Sequence, residues 1–396
     1  MGVQSWVGWG MRSRISMLVL ALFVANCSSF EPSKTNDADN VDLASKKPVS
    51  EGPVVVPASA TVEKKPALQQ VLFVSNRKIS GAGPSITLSS ITAEPATNVT
   101  YGRAIVSIPP IHRIGRTERP VSSFFGLIRE KESDSKHFVI KRIDRFTEES
   151  FARQIREDRN SVLLFVHGYN VEFSDAVFRT AQIAFDANYP GTVIAFSWPS
   201  AGKVIDYDRD REMALVSSAR LSRALRLIAE QAVGRRIYVV AHSLGSQIVM
   251  DALQEAAARN APLQISELVF AAPDVGKELF ESKAEEIRKV AGNVTMYASS
   301  ADKALLVSQA KSSTDRIGYV GKDGPNLVDG VDTIDVTAVG EDMFALNHST
   351  FAEQRAVLDD LGRIIMSETH IPPGQRTPTL RRMPNVLFPR YWMYAL

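Results

Sequence analysis

The chain has 396 residues, of which 44% are hydrophobic and 23% are charged. This length and composition allow one large domain or two small ones with a substantial core, and they exclude a fibrous or wholly disordered protein. The formal net charge is only +2, from 46 basic and 44 acidic residues. Nucleic-acid binding needs a clustered basic face that displaces counterions from phosphates, so we expect no nucleic-acid partner.

The first segment with a clear pattern is a signal peptide, predicted at residues 1–26. Arg12 and Arg14 precede the apolar run Met17–Ala25. This run is too short to cross a bilayer as a helix, which takes roughly 20 residues. Cys27 follows the run and is the only cysteine, so no disulfide can form within the chain. We therefore expect an exported protein.

The segment Val24–Cys27 resembles the lipobox of bacterial lipoproteins, in which the cysteine becomes the lipidated first residue of the mature chain. Asn26 stands where that motif usually has Gly, Ala or Ser. The resemblance implies lipidation of Cys27 and attachment to a membrane. Ser28 and Ser29 after the cysteine favour the outer membrane over the inner one by the same resemblance. A soluble periplasmic protein is the alternative.

Composition divides the rest of the chain into three parts. Residues 27–68 are rich in Asp, Ser, Lys, Ala and Pro. Such a stretch cannot bury enough apolar surface to offset its ordering entropy, so we predict a disordered tether. We place the folded domain at residues 69–366. A tail rich in Pro, Arg and aromatic residues follows at 367–396, and the sequence does not indicate whether it packs on the domain.

Strand-like runs alternate with helical patterns through the folded domain. Val162–Val166 is a continuous apolar run, as expected for a parallel strand buried on both faces. We predict further strands within this alternation at Val71–Val74, Thr192–Phe196, Ile237–Val240, Glu267–Ala271, Val294–Ala298 and Thr333–Thr337. Strand, helix, strand, helix in this order predicts an α/β fold, a mostly parallel doubly wound sheet with helices on both faces.

One predicted strand runs directly into the pattern small-x-Ser-x-Gly. Ala241–Gly245 reads Ala-His-Ser-Leu-Gly and is followed by a helical pattern. This is the nucleophile-elbow pattern, a turn so sharp that it needs small residues two positions before and after the serine. Such a turn leaves the serine hydroxyl exposed above the ends of the strands. We predict Ser243 as the nucleophile and His242 as a pocket or supporting residue.

A second motif, His-Gly-Tyr-Asn at His167–Asn170, directly follows the predicted strand Val162–Val166. Acyl transfer needs donors aimed at the oxygen on which negative charge develops. Next to an elbow, one N–H comes from this loop and the other from the residue after the nucleophile. We therefore predict the N–H groups of Tyr169 and Leu244 as the oxyanion hole. Gly168 would allow close backbone approach, with His167 in a supporting role.

The general base is expected late in the chain, because the order nucleophile, acid, histidine is typical of this arrangement. His348 precedes the last predicted helix and agrees with that order, whereas His370 lies in the tail. Two aspartates follow predicted strands in acceptable places, so the acid stays open. We favour Asp302, after the later strand, and keep Asp274 as the alternative acid.

Other short segments accompany these two motifs: Phe73–Arg77, Tyr101–Arg103, Val106–Pro109 and Phe196–Ser200. Together they resemble a bacterial α/β-hydrolase family catalogued as domain of unknown function nine hundred, over about residues 71–366. The resemblance implies an α/β-hydrolase fold and a serine site without assigning a substrate. It suggests Trp198 as a pocket or supporting residue. It leaves open whether Asn76, Arg77, Tyr101 and Arg103 belong to the site or to a structural layer.

Motifs for metals and nucleotides are missing from the sequence. There is no His-Glu-x-x-His and no paired cysteine motif, and Gly202-Lys203 lacks the flanking residues of a phosphate-binding loop. We expect no cofactor. The sequence predicts a serine hydrolase of the cell envelope that acts on small-molecule or lipid esters through a Ser-His-Asp triad. An acyltransferase with the same triad and a catalytically idle binding protein are the alternatives, and the oligomeric state stays unknown.

Overall fold

The computed structural model describes residues 65–123, 128–259, 263–312, 314–339, 351–384, 386 and 390–394. The strands, in chain order, are β1 (Ala67–Ile79), β2 (Ile91–Ile108), β3 (Ser122–Ser123), β4 (Ile128–Arg129), β5 (Val139–Phe146), β6 (Val162–Val166), β7 (Thr192–Ser197), β8 (Ile237–His242), β9 (Glu267–Ala271), β10 (Val294–Ala298), β11 (Val320–Gly321), β12 (Gly324–Pro325), β13 (Asp332–Asp335), β14 (Leu380–Met383) and β15 (Tyr391–Tyr394). The helices are α1 (Glu148–Glu157), α2 (Phe173–Asp186), α3 (Tyr207–Gln231), α4 (Gly245–Ala258), α5 (Lys277–Val290), α6 (Lys303–Ser312), α7 (Phe351–Met366) and α8 (Pro373–Arg376).

An eleven-stranded sheet runs through the described part of the chain, in the order β14-β15-β13-β10-β9-β8-β6-β7-β1-β2-β5. The strands from β15 to β1 in this order are parallel to their neighbours. Antiparallel pairs close both edges, through β14 on one side and through β2 and β5 on the other. Parallel strands need long crossovers, and most of these crossovers contain helices.

Both faces of the sheet are covered, which explains why its central strands are continuous apolar runs. In β6, Leu164 and Val166 belong to a core cluster with α1, α3, α4 and α5. Leu163 and Phe165 belong to a second cluster, with α2 and α7. All five residues of β6 are buried. The period of two along the strand therefore divides one apolar segment between two cores.

Local sequence signals account for the start of α1 and for the buried face of α3. Thr147 is the N-cap of α1. Its side chain accepts a hydrogen bond from the N–H of Ser150 at 3.1 Å. Helix α3 buries residues three and four positions apart, including Tyr207, Asp210 and Ala214, as a helix with one face on the core requires. An aspartate on this buried face is unusual, and its contacts bear on the candidate site.

The predicted α/β fold is confirmed, including its mostly parallel sheet with helices on both faces. The predicted strand at Glu267–Ala271 is β9, and the strand at Val294–Ala298 is β10. The first strand is longer than its apolar run suggested, since β1 continues from Ala67 to Ile79. In the described part of the chain, no helix is long and apolar enough to span a membrane. The predicted signal peptide, Cys27 and nearly all of the predicted tether lie outside the described residues.

The segment set apart as a tail contributes to the sheet. Strand β15 pairs in parallel with β13, and β14 pairs with β15. Arg376 of α8 is buried and donates from Nε to Asp360 of α7 at 2.9 Å. Tyr297 of β10 donates to the other oxygen of the same carboxylate at 2.5 Å. A buried polar cluster therefore joins the tail to α7 and to the middle of the sheet.

Candidate active site

The predicted nucleophile lies at a strained turn between strand and helix. Strand β8 ends at His242 and α4 begins at Gly245, so only Ser243 and Leu244 separate them. Ser243 has φ +49°, in the left-handed region that non-glycine residues rarely adopt. Its N–H donates to the carbonyl of Ala271 on β9 at 3.0 Å. The local geometry is thus the sharp elbow that the sequence predicted, and Ser243 keeps 7% of its surface exposed.

Two glycines allow the loop after β6 to lie against this turn. A Cβ added to Gly245 would come 2.4 Å from the carbonyl oxygen of His167. A Cβ added to Gly168 would come 2.9 Å from the Cβ of Ser243 and 3.0 Å from Nδ1 of His242. The structure therefore brings together the two motifs that the sequence identified separately, and it packs them with no room for a further methyl group.

His167 supports this loop and has both ring nitrogens engaged. Its Nδ1 donates to the carbonyl of Gly168 at 2.8 Å, and its Nε2 accepts the N–H of Trp198 at 3.1 Å. Burial, together with the nearby positive charge of Arg77, holds the pKa of His167 well below its ordinary value. The ring is therefore neutral, in the tautomer with hydrogen on Nδ1, and has no nitrogen left for Ser243.

Trp198 lies behind the loop and not in an open pocket. Its side chain is fully buried, and its ring stacks on His167 with centroids 5.0 Å apart and planes 8° apart. Its Nε1 donates to the carbonyl oxygen of His167 at 2.7 Å. Of the two roles predicted for Trp198, lining the pocket or supporting it, these contacts correspond to the supporting one.

His242 is neutral at physiological pH. Burial, with a smaller contribution from the positive charge of Arg179, lowers the pKa of His242 to about 3. A histidine with so low a pKa is a weak proton acceptor. His242 directly precedes Ser243, and its Nδ1 would lie 3.0 Å from a Cβ added to Gly168.

The alternative acid, Asp274, is enclosed by hydrogen-bond donors. Its Oδ2 accepts from the hydroxyl of Tyr207 at 2.7 Å. Its Oδ1 accepts from the hydroxyl of Ser308 at 2.5 Å and lies 3.1 Å from Nε of Arg316. The side chain is buried, and the N–H of Asp274 donates to the carbonyl of Ser243 at 3.2 Å. Asp274 therefore lies next to the elbow in a buried ion pair.

The favoured acid, Asp302, comes after β10 and just before α6. Its Oδ1 accepts the N–H of Leu305 at 3.0 Å, so it caps that helix. Asp302 keeps 9% of its surface exposed. Strands β8, β9 and β10 are neighbours and parallel, so Ser243, Asp274 and Asp302 all follow carboxyl ends at one edge of the sheet. The predicted base, His348, falls within residues 340–350, which are outside the described residues.

The two predicted oxyanion donors stand on either side of the junction between the loops. Leu244 is the residue between Ser243 and the first residue of α4, and Tyr169 follows Gly168. In the described part of the chain, no hydrogen-bond acceptor is found for the N–H of Tyr169 or of Leu244. Two such N–H groups near a serine hydroxyl could stabilise an oxyanion.

The family segments that the sequence left open have different roles. Asn76 and Arg77 are buried at the end of β1, where Arg77 contacts the loops after β6 and β7. Arg103 pairs with Asp144 on the outer strand β5 at 2.8 Å, and the hydroxyl of Tyr101 donates to Glu148 of α1 at 3.2 Å. Arg77 therefore supports the loops of the candidate site, whereas Tyr101 and Arg103 belong to the sheet edge and α1.

Sequence reasoning missed several polar residues around the site: Ser200, Asp210, Ser308 and Arg316. Asp210 had one readable signal, since an acidic residue on the apolar face of a predicted helix calls for buried donors. Ser308 and Arg316 meet Asp274 only through the tertiary fold. In the described ranges, no three or more His, Cys, Asp or Glu side chains group as metal ligands.

Residues 144–366 match the sequence model of a family described as alpha/beta hydrolase of unknown function (DUF900). An uncharacterized protein of Nostoc sp. (strain PCC 7120) is 40% identical over 125 residues, or 25% of this chain. That match covers 33% of the Nostoc protein, so the chain spans about a third of the curated relative it matches.

Distant likenesses to solved structures also exist. Carboxyl esterase 2 from the fungus Tuber melanosporum is 8% identical, with a TM-score of 0.33 over 78% of this chain and 90% of that one. Lipase B from Aspergillus fumigatus is 12% identical, with a TM-score of 0.33 over 54% of each chain. Similarities this low carry no information about substrate or reaction.

Proposed function

Because the chain belongs to the alpha/beta hydrolase family of unknown function (DUF900), we propose that it is a serine hydrolase acting on carboxylic esters. One observation carries the proposal. Ser243 has a left-handed backbone at the turn from β8 to α4, with the loop of Gly168 packed directly against it. A strained serine at the carboxyl edge of a parallel sheet is the arrangement that exposes a nucleophile next to backbone donors.

In the proposed reaction, Oγ of Ser243 attacks the ester carbonyl while His348 takes its proton. The N–H groups of Tyr169 and Leu244 hold the negative oxygen of the tetrahedral intermediate. When this collapses, the C–O bond breaks and His348 returns the proton to the leaving alcohol. Water then attacks the acyl-enzyme with the same proton transfers and releases the carboxylic acid.

Labelling with a fluorophosphonate probe tests the nucleophile. We expect the wild-type protein to be labelled on Ser243 and to hydrolyse 4-nitrophenyl esters, and Ser243→Ala to lose both properties. Ser246→Ala is the matched control, because Ser246 is a buried serine three residues after Ser243, at the second position of α4. Undiminished labelling of Ser243→Ala would place the nucleophile elsewhere. Adding alcohols and analysing the products distinguishes hydrolysis from acyl transfer.

The acid of the triad is proposed to be Asp302. Both oxygens of Asp274 are already held by Tyr207, Ser308 and Arg316, which supports a structural role for that carboxylate. Asp302→Asn should reduce turnover by about three to four orders of magnitude, because the histidine loses its orienting partner. Asp274→Asn should mainly lower the free energy of unfolding. The opposite ranking of turnover would assign the triad to Asp274.

The location is proposed from the leader: a periplasmic or outer-membrane protein attached through lipid on Cys27. Acyl chains contribute about 0.8 kcal/mol per buried CH₂, so several chains hold a protein firmly on a membrane. We expect the wild-type protein in the membrane fraction and Cys27→Ala in the soluble periplasmic fraction. A wild-type protein found wholly in the soluble fraction would exclude the anchor and leave the hydrolase proposal unaffected.

A further inference from the structure

Arg77 connects the loop after β6, which carries the proposed donor Tyr169, to the loop after β7. Its side chain is buried at the end of β1. Its Nη2 donates to the carbonyl of Val171 at 2.7 Å, and its Nη1 donates to the carbonyl of Ser200 at 3.0 Å. Its Nε donates to the hydroxyl of Ser197 at 3.0 Å. One planar guanidinium therefore binds the loop after β6 and the loop after β7 together.

Asp210 of α3 also holds these two loops. It is fully buried on the inner face of α3. Its Oδ2 accepts the N–H of Asn170 at 3.1 Å and the hydroxyl of Ser200 at 2.5 Å, and its Oδ1 accepts the N–H of Ala201 at 2.8 Å. The hydroxyl oxygen of Ser200 in turn accepts the N–H of Val171 at 3.0 Å.

These contacts fix the backbone on the carboxyl side of Tyr169. Asn170 has φ +58°, an unfavourable left-handed conformation, and its N–H is the group that Asp210 holds. On the amino side, Gly168 packs on Ser243 and its carbonyl accepts from His167. The peptide plane that carries the N–H of Tyr169 is thus held between two anchored segments.

We propose that Arg77 and Asp210 are positioning residues that hold the loop 168–171 so that the N–H of Tyr169 faces the oxyanion. The inference rests on the proposed serine hydrolase function and adds the elements that align its oxyanion hole. The proposed role depends on the geometry of the hydrogen bonds that both side chains make, and charge alone does not provide it. An ammonium at position 77 would keep the charge but could not reproduce three contacts of one planar group.

The test compares Arg77→Lys and Asp210→Asn with the wild-type protein. Arg103→Lys is the matched control, because it makes the same substitution in an arginine that pairs with Asp144 on the outer strand β5. Active sites are first counted by complete reaction with a fluorophosphonate. Turnover of a 4-nitrophenyl ester is then expressed per titrated site, so that molecules with a damaged fold do not contribute.

A purely structural role would lower the number of titrated sites and leave kcat per site unchanged. Positioning of the donor instead predicts that kcat per titrated site falls about 10- to 100-fold in both test variants, because misplaced oxyanion donors stabilise the transition state less. KM should stay within about threefold of the wild-type value, since the loss concerns the transition state. The pH of half-maximal kcat should not move, because the base is untouched.

A kcat per titrated site within about twofold of the wild-type value in both variants overturns the inference and leaves the proposed function standing. An equal loss of kcat in Arg103→Lys also overturns it, since the effect would then be general. If the wild-type protein is not labelled at Ser243, the proposed function fails and the inference fails with it. Asp210→Asn preserves side-chain size, so it gives a result even where Arg77→Lys folds poorly.

Discussion

Environment decides the protonation of three described histidines. Near the elbow, His167 is buried and His242 is half-buried, and desolvation lowers the pKa of both, to about 3 for His242. Burial also opposes the charge on His112, but hydrogen bonds to Asp186 at 2.8 Å and Glu118 at 2.9 Å outweigh it and raise its pKa to about 9. Neither histidine beside Ser243 offers an effective base, which supports the proposal of His348 for that role.

The raised pKa of His112 predicts a stability that depends on pH. The charged ring stabilises the fold fully below the unfolded-state pKa of about 6.5, and the contribution is lost as pH rises towards 9. We expect His112→Gln to lower the free energy of unfolding by up to about 3 kcal/mol at pH 6, and by little above pH 9. Urea unfolding at both pH values measures the difference.

Asp186→Asn provides the control for this effect, because it removes the first acceptor on which the raised pKa depends. In the Asp186→Asn background, changing His112 to Gln should have a much weaker pH dependence. If His112→Gln lowers the free energy of unfolding by the same amount at pH 6 and pH 9 in the otherwise wild-type protein, the assigned pKa is contradicted.

At the scale of elements, the candidate site is a junction of two turns that follow neighbouring parallel strands. The elbow after β8 and the loop after β6 meet because these strands pair directly, with Val166 opposite Ala241. Gly168 and Gly245 make the approach possible, since neither position has space for a Cβ. The spacing between Ser243 and the proposed donor, the N–H of Tyr169, is therefore a property of the packed pair of turns.

Gly168→Ala tests this packing. The added methyl would come 2.9 Å from the Cβ of Ser243, so the loop must move away from this serine. Displacements of about 1 Å can lower turnover about 100-fold, and we expect a loss of 10- to 100-fold. Ester turnover per titrated site is the measurement.

Gly83→Ala is the matched control, because a Cβ at Gly83 would meet no atom within 4 Å. It should retain turnover within about twofold of the wild-type value. If Gly168→Ala behaves in the same way as Gly83→Ala, the close approach of the loop to Ser243 is not needed for the reaction.

At the scale of the whole molecule, the segment after α7 is part of the folded unit. Strand β15 extends the parallel sheet beyond β13, and α8 places Arg376 on the buried carboxylate of Asp360. The hydroxyls of Tyr297 and Thr377 bond the same carboxylate. Removing the cation would leave a buried negative charge with neutral donors only, which is a strongly destabilising change.

Arg376→Ala should therefore lower the free energy of unfolding by about 3–5 kcal/mol. Arg355→Ala is the control on α7, because its pair with Asp359 is exposed on both sides and should contribute less than about 1 kcal/mol. Urea unfolding of the two variants gives the comparison. Equal effects would mean that the Arg376 cluster does not secure the tail.

The sequence was most informative where structure is local. Central strands such as β6 and β9 have apolar runs that only a doubly covered sheet explains, and the elbow is a contiguous motif. Strand β2 escaped prediction because much of it is half-exposed and it contains Pro95. The cluster of Arg77 and Asp210 could not be predicted because its members come from distant segments, and only the fold brings them together.

The backbone of Ser243 has a thermodynamic consequence for the whole protein. Glycine adopts φ +49° without a Cβ clash, whereas a residue with a side chain loses of order 1–2 kcal/mol there. Domains are typically stable by only about 5–15 kcal/mol, so this loss is a noticeable share. A protein that served only to hold a ligand would gain stability by exchanging this serine for glycine. If Ser243 is the nucleophile, as proposed, its hydroxyl is kept at the expense of stability because the reaction needs it.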